Sequence, residues 1–237
     1  MSDIYLYDEI VGEKWKDWDD NEHGFCPKDM SEPLQEAQPG DVINIYVNSP
    51  GGSVFAAVAM ASEIKRAISR GVKVNAYVDG MAASAASFLI MACETVNMYE
   101  GTMLMVHKPL CICIGNADDM LKCAADLEDI QEGTCMPMYR SKLKAEEAEL
   151  VAMMTEEKWL GTKEASRIFD ISIVDASKQV QQTDVSVLAK YGYKNVPQQL
   201  IRQNATARPA EQIPKEPTEP LDYSDWENRI KKLGGKS

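Results

Sequence analysis

The chain has 237 residues, 45% hydrophobic and 26% charged, which is enough apolar content for a sizeable core and too much for a disordered chain. Its formal net charge of -12 argues against broad nucleic-acid binding, because neutralising a phosphate backbone needs a surplus of Lys and Arg. The most apolar run, residues 81–93, is shorter than the roughly 20 residues of a membrane span, and no basic start leads into an apolar stretch as in a signal peptide.

Residues 4–7, Ile-Tyr-Leu-Tyr, read as a short strand. Residues 12–30 are polar, with Trp15, Trp18 and His23 among charges, and are expected to form a loop with some helix. β-Branched content predicts a strand over 41–47, stopped by the turn formers Asn48-Ser49-Pro50-Gly51-Gly52. Val54, Ala57, Val58, Ala61, Ile64 and Ile68 recur at three and four positions, the mark of an amphipathic helix over 54–68. The pattern repeats with a strand over 72–78, a turn at Asp79-Gly80 and an apolar helix over 81–93. Two short strands, 96–99 and 103–106, follow around Glu100-Gly101. Strands alternating with helices across short turns imply an α/β fold with a mostly parallel sheet and right-handed crossovers.

After Gly115-Asn116 the pattern is helical over 117–150, and Gly133 and Pro137 divide it into two helices. Met120, Leu121, Leu127, Ile130, Met136 and Met138 give this region more apolar surface than a short excursion needs. Residues 156–169 predict another helix or helical turn, before a short apolar stretch at 171–174. Beyond Asn195 five prolines punctuate a polar segment that reads as a linker, ending in a short amphipathic helix over 223–233. A folded domain over 1–195 and a flexible Pro-rich tail over 196–237 are therefore expected.

Six cysteines occur without paired CxxC or Cys/His spacing, so neither a structural zinc site nor another metal site is expected. Cys111 and Cys113 would share one face of a strand. Ser84 stands among alanines where a strand gives way to a helix, and small neighbours let a peptide approach a hydroxyl there. Packing of small residues against a sheet explains the same pattern. The motif is not GxSxG, so an α/β-hydrolase elbow has no support. A serine nucleophile needs a base, and the chain has two histidines. His23 sits in the polar N-terminal segment, whereas His107 ends the apolar strand 103–106. At Gly51-Gly52 the N–H groups of Gly52 and Ser53 can turn toward a pocket. No GxGxxG or GxxxxGK[ST] supports a nucleotide site.

These pieces, in this order, resemble the ClpP family of serine peptidases, and within it the phage head-maturation (prohead) proteases. The resemblance rests on IYLYDEI at 4–10, NSPGGSVFAA at 48–57, DGMAASAASFLIMA at 79–92, MVHKP at 105–109, GNADDM at 115–120 and EEKWLGTKEA at 156–165, and spans about residues 1–175. It implies a crotonase-like fold of repeated ββα units with a helical handle used in oligomerisation. It also implies Ser84 as nucleophile, His107 as general base, and an oxyanion hole from the backbone N–H groups of Gly52, Ser53 and Ala85. The third member of the triad falls at Glu157, where the family pattern has Asp or Glu; Glu156, Asp170 and Asp175 are its rivals.

The implied activity is endopeptidase hydrolysis without metal or organic cofactor, as a prohead protease or a Clp-type proteolytic subunit. The partners implied are a peptide or protein substrate, a homo-oligomeric ring (a heptamer or double ring), and a phage scaffold or capsid protein or a Clp-type ATPase. Neither nucleic acid nor membrane is expected as a partner. The setting implied is the cytoplasm, or a procapsid for a phage-encoded chain. Two other functions fit the same fold: crotonase-like chemistry on acyl-CoA esters, and a non-catalytic ring-forming assembly protein.

Overall fold

The computed structural model describes residues 3–175 and 192–197, all within the first of two units, Met1–Asn204. All but the first two residues of the expected tail, and the expected helix over 223–233, lie outside the described residues. The elements are β1 (Ile4–Leu6), β2 (Trp15–Lys16), β3 (Glu22–His23), α1 (Pro27–Glu36), β4 (Val42–Ser49), α2 (Val54–Ser69), β5 (Lys73–Ala83) and α3 (Ala85–Leu89). They continue with β6 (Thr95–Tyr99), β7 (Met103–Val106), α4 (Ala117–Ile130), α5 (Met136–Arg140), α6 (Glu147–Glu156), β8 (Lys158–Gly161), α7 (Thr162–Ile168) and β9 (Ser172–Val174).

Among the described residues seven strands form one sheet, with the path β1-β4-β5-β6-β9 and with β7 placed between β5 and β8. The pairing is parallel except between β7 and β8. This is the expected α/β architecture, and it is the fold that the family resemblance implies. Alternation decides the two faces of the sheet. Ile43, Ile45 and Val47 of β4 and Val74, Ala76 and Val78 of β5 are buried against Met60, Ala61 and Ile64 of α2. Each fully buried large aliphatic side chain contributes roughly 1.5–3 kcal/mol. The opposite face carries a ladder of stacked rings, Tyr5–Tyr46–Tyr77–Tyr99, one from each of four neighbouring strands.

Several elements differ from expectation. Residues 12–30 contain a two-stranded hairpin, β2 with β3, ahead of α1. Asp79-Gly80 is no turn, because β5 runs on to Ala83 while exchanging one neighbour for another. It pairs with β6 over Asn75–Val78 and with β7 over Met81–Ala83. Asp79 accepts the Tyr7 hydroxyl at that point, and Asn48 Oδ1 accepts the Met81 N–H at 3.2 Å. The apolar run 81–93 therefore begins as strand, over Met81–Ala83, and its α-helix is only five residues long.

Residues 117–140 are helical throughout, because a π-helical stretch, Gln131–Cys135, joins α4 to α5. Its wider turn accommodates Pro137, which has no N–H to donate. Met136 and Met138 are buried in the core rather than offered as surface, whereas α4 has no buried residue and leaves Met120 and Leu121 exposed. Residues 158–161 are a strand where a helix was expected, with Trp159 and Leu160 facing opposite sides. Cys111 and Cys113 lie in no strand; Cys111 Sγ instead approaches Cys123 Sγ of α4 at 2.9 Å.

The glycine pair after β4 is where the fold tolerates no side chain. Gly51 and Gly52 have φ of +92° and +140°. A Cβ on Gly52 would lie 2.2 Å from the Ile10 carbonyl oxygen, and one on Gly51 would lie 2.5 Å from the Ala83 oxygen. Both obstacles are backbone, so neither can swing aside. We expect Gly52→Ala to lower unfolding free energy by at least about 2 kcal/mol. Gly133→Ala, in helix with nothing within 4 Å of the added carbon, should be neutral or stabilising by about 0.5–1 kcal/mol. Urea denaturation of the two variants checks the contrast, and equal stability would contradict it.

Candidate active site

The centre of the site is the point where β5 ends. Ser84 follows Ala83 directly and precedes α3, with φ 53° and ψ -123°, a region that residues with a Cβ rarely occupy. Its backbone is held from both sides. The Ser84 N–H donates to the Met105 carbonyl of β7 at 3.0 Å, and the Ser87 hydroxyl donates to the Ser84 carbonyl at 2.6 Å. Ser87 Oγ also lies 2.6 Å from the hydroxyl of Tyr139 in α5. The forced turn presents the Ser84 side chain outward from the sheet end.

β7 runs beside β5 and delivers the next residue after its end, His107, to the same spot. His107 Nε2 lies 2.7 Å from Ser84 Oγ. Burial lowers the basicity of His107, and the negative charge of Glu157 opposes that shift. The imidazole is therefore favoured in the neutral form, able to accept the serine proton. His23, by contrast, stacks on Trp15 and contacts Asp17 in the β2–β3 hairpin.

Gly51-Gly52 packs against Ser84. A Cβ on Gly51 would lie 2.7 Å from Ser84 Cβ and 2.9 Å from the Ala85 nitrogen. Residue 10 bridges to this turn: Ile10 N–H donates to the Gly51 oxygen at 2.7 Å, and its carbonyl accepts the Ser53 N–H at 2.8 Å. Ser53 is thereby corrected as an oxyanion donor, because its N–H is committed to Ile10 and its hydroxyl caps α2 by accepting from Ala56. Gly52 lies between the two bonds, so its N–H points away from residue 10. Ala85 is the first residue of α3, where an N–H has no acceptor within the helix.

Glu157 ends α6 in a left-handed conformation, φ 52° and ψ 72°. Its charge reaches His107, but its Oε1 accepts the backbone N–H groups of Lys194 and Asn195 at 2.6 and 2.9 Å. It makes no hydrogen bond to His107 among the described residues. Glu156 is exposed, with its carbonyl accepting Asn195 Nδ2 at 2.7 Å. Asp170 and Asp175 are exposed and flank β9, at the end of the sheet path. Among the described residues no group of three His, Cys, Asp or Glu side chains is arranged to hold a metal ion, and no helix is long and apolar enough to cross a membrane.

Met81, Ala83, Met105 and Trp159 form an apolar cluster separate from the main core, on the face of β5, β7 and β8 opposite to Ala82, Leu104 and Leu160. Tyr193 and Val196 pack against it. Neither residue is legible in the sequence, because an aromatic ahead of a polar linker has no periodicity and no motif. Ser87 and Tyr139 were equally silent, being a small residue and an aromatic whose contact spans 52 positions.

The family model described as Clp protease matches residues 32–175, well over half of the chain. Among curated proteins the chain is similar to the ATP-dependent Clp protease proteolytic subunit of Porphyromonas gingivalis, 37% identical over 89 residues, covering 37% of this chain and 39% of that protein. It is also similar to the proteins of the same name from Bacteroides fragilis, 32% identical over 101 residues (42% and 47% covered), and Bacteroides thetaiotaomicron, 31% identical over 101 residues (42% and 44% covered). The matched stretch thus spans less than half the length of each of these relatives.

A neutral imidazole bonded to a hydroxyl has a definite pH signature. Burial lowers the pKa of His107, so the base form persists to lower pH than for an ordinary histidine, near 6.5. The rate of covalent labelling of Ser84 by a fluorophosphonate is expected to rise with pH and level off, with its midpoint below that value. A midpoint at or above about 7 would contradict the burial effect.

Proposed function

The chain belongs to the Clp protease family, and from that membership we propose that it is a serine endopeptidase acting through Ser84 and His107. The observation that carries this reading is the 2.7 Å contact between His107 Nε2 and Ser84 Oγ at a strained strand-to-helix turn. An assembly protein that only kept the fold would need neither the contact nor the strain. Enolate chemistry on an acyl-CoA ester needs paired backbone donors but no nucleophile.

In the proposed reaction His107 Nε2 takes the proton from Ser84 Oγ as the oxygen attacks a peptide carbonyl. The N–H groups of Gly52 and Ala85 receive the oxyanion, and protonated His107 passes its proton to the leaving amine. Water then enters, His107 removes its proton, and the acyl-enzyme is hydrolysed. Glu157 is the orienting carboxylate in this reading, supported by its charge acting on His107. That role needs the carboxylate to turn from the amides of residues 194 and 195 toward the imidazole.

The finer assignments are proposals of the same kind. A homo-oligomeric ring is supported by α4, which buries no residue, exposes Leu121 and follows the exposed Leu110, Ile112 and Ile114. The relatives' printed name, an ATP-dependent proteolytic subunit, supports an ATPase partner. The phage head-maturation branch, with a scaffold or capsid substrate and a cytoplasmic or procapsid setting, rests on the motifs quoted above. The division into a peptidase domain over 1–195 and a tail over 196–237 rests on the change of composition past Asn195, where five prolines punctuate a polar segment.

Ser84→Ala and His107→Ala are each expected to reduce peptide cleavage by at least about 100-fold with little change in melting temperature, as members of one catalytic unit do. Parent-like cleavage by purified His107→Ala would remove the general base from the mechanism. Glu157→Gln is expected to slow turnover by about 10-fold or more, while Glu156→Gln has little effect. The reverse order would transfer the orienting role to Glu156.

A further inference from the structure

Residues 192–197 lie across the site in a manner that the proposed reaction does not use. The Tyr193 hydroxyl donates to the Pro50 carbonyl at 2.7 Å, immediately before the glycine turn. Its ring meets His107 edge-on, with centroids 5.5 Å apart at 86°, and Trp159 at 6.2 Å and 76°. Tyr193 and Val196 pack on the apolar cluster of Met81, Ala83, Met105 and Trp159. Between them the N–H groups of Lys194 and Asn195 converge on Glu157 Oε1, and Asn195 Nδ2 reaches the Glu156 carbonyl.

The segment makes these contacts as a bend and not as a strand: two consecutive N–H groups share one carboxylate oxygen, and Tyr193 and Val196, three positions apart, anchor it on the same apolar cluster. The contacts fall on the residues beside the nucleophile, the base and the candidate orienting carboxylate. Fit is imperfect, since Trp159 Nε1 is buried and has no acceptor among the described residues, which favours a segment that can be displaced.

We propose that the segment Gly192–Pro197 is an internal strap that occupies the peptide-binding cleft over Ser84 and His107, holding the enzyme in a restrained state until substrate or assembly displaces it. The proposal rests on the reading of Ser84 and His107 as nucleophile and base. Tyr193 stands where an aromatic side chain of a substrate would sit. Strap and base draw on the same carboxylate: Glu157 Oε1 accepts the amides of 194 and 195, and among the described residues neither carboxylate oxygen bonds His107. Displacing the strap thus opens the cleft and frees the orienting group in one step. No covalent change is needed.

The test uses the full chain and two probes, fluorophosphonate labelling of Ser84 and hydrolysis of a fluorogenic peptide carrying an aromatic residue. Tyr193→Ala is expected to raise the labelling rate constant about tenfold and to raise peptide hydrolysis with it. Tyr193→Phe, which keeps the ring but loses the bond to Pro50, should give a smaller rise. A synthetic peptide of residues 192–197 added to Tyr193→Ala should restore slow labelling, whereas a scrambled peptide should not. If Tyr193→Ala fails to fold, Tyr193→Phe and Val196→Ala carry the same comparison. Labelling in the variants equal to or slower than in the parent overturns the strap alone. No labelling of Ser84 in any of these proteins overturns the nucleophile assignment and the strap with it.

Discussion

Between Ala83 and Ala85 the chain leaves a parallel strand and enters a helix within a single residue, and the site is arranged around that turn. A residue other than glycine with φ 53° and ψ -123° stores strain of about 1–3 kcal/mol. It persists because its neighbours allow no alternative. The Ser84 N–H is claimed by β7, its carbonyl by Ser87, and the space beside its Cβ by Gly51. β7 performs two tasks at once, since the strand that fixes the Ser84 backbone also leads directly into His107. That economy explains why β5 must change neighbours at Asp79-Gly80: only a strand that releases β6 can accept β7 along its last three residues.

Much of this could be read in the sequence, for physical reasons that differ by element. The helix over 54–68 declared itself because one face had to be apolar, and the structure extends it by a single residue. Strand β4 was visible through its β-branched run, and β6 and β7 as short apolar stretches around the turn formers Glu100-Gly101. His107 stood out by scarcity, with only two histidines available, and its pairing with Ser84 came from the family pattern; the structure brings the two side chains together. The run 81–93 misled because a strand buried on both sides and a buried helix share the same apolar composition, and periodicity cannot separate them. Asp79-Gly80 looked like a turn for the usual reason, yet tertiary pairing overrode local preference. Ser53 was misjudged because its amide is taken by Ile10, a contact between positions far apart in the chain.

The electrostatics of the site oppose one another in a useful way. Burial alone would leave His107 a weak base, and a carboxylate alone would leave it too ready to hold a proton. Here desolvation is the larger influence and Glu157 the counterweight. The overall acidity of the chain has no part in this balance, since the local arrangement of one imidazole and one carboxylate decides it.

Ser87 and Tyr139 give Ser84 a connection that reaches well past the site. Tyr139 is fully buried, stacked on Phe169 and set edge-on to Phe88, and its hydroxyl lies against the one that holds the Ser84 carbonyl. Two hydroxyl groups thus join Ser84 to the aromatic centre of the molecule and to the end of the long helical segment 117–140. Core order and the backbone geometry of residue 84 become coupled: whatever loosens the packing around one buried phenol reaches the Ser84 carbonyl over two hydrogen bonds, without touching the Ser84–His107 contact at all.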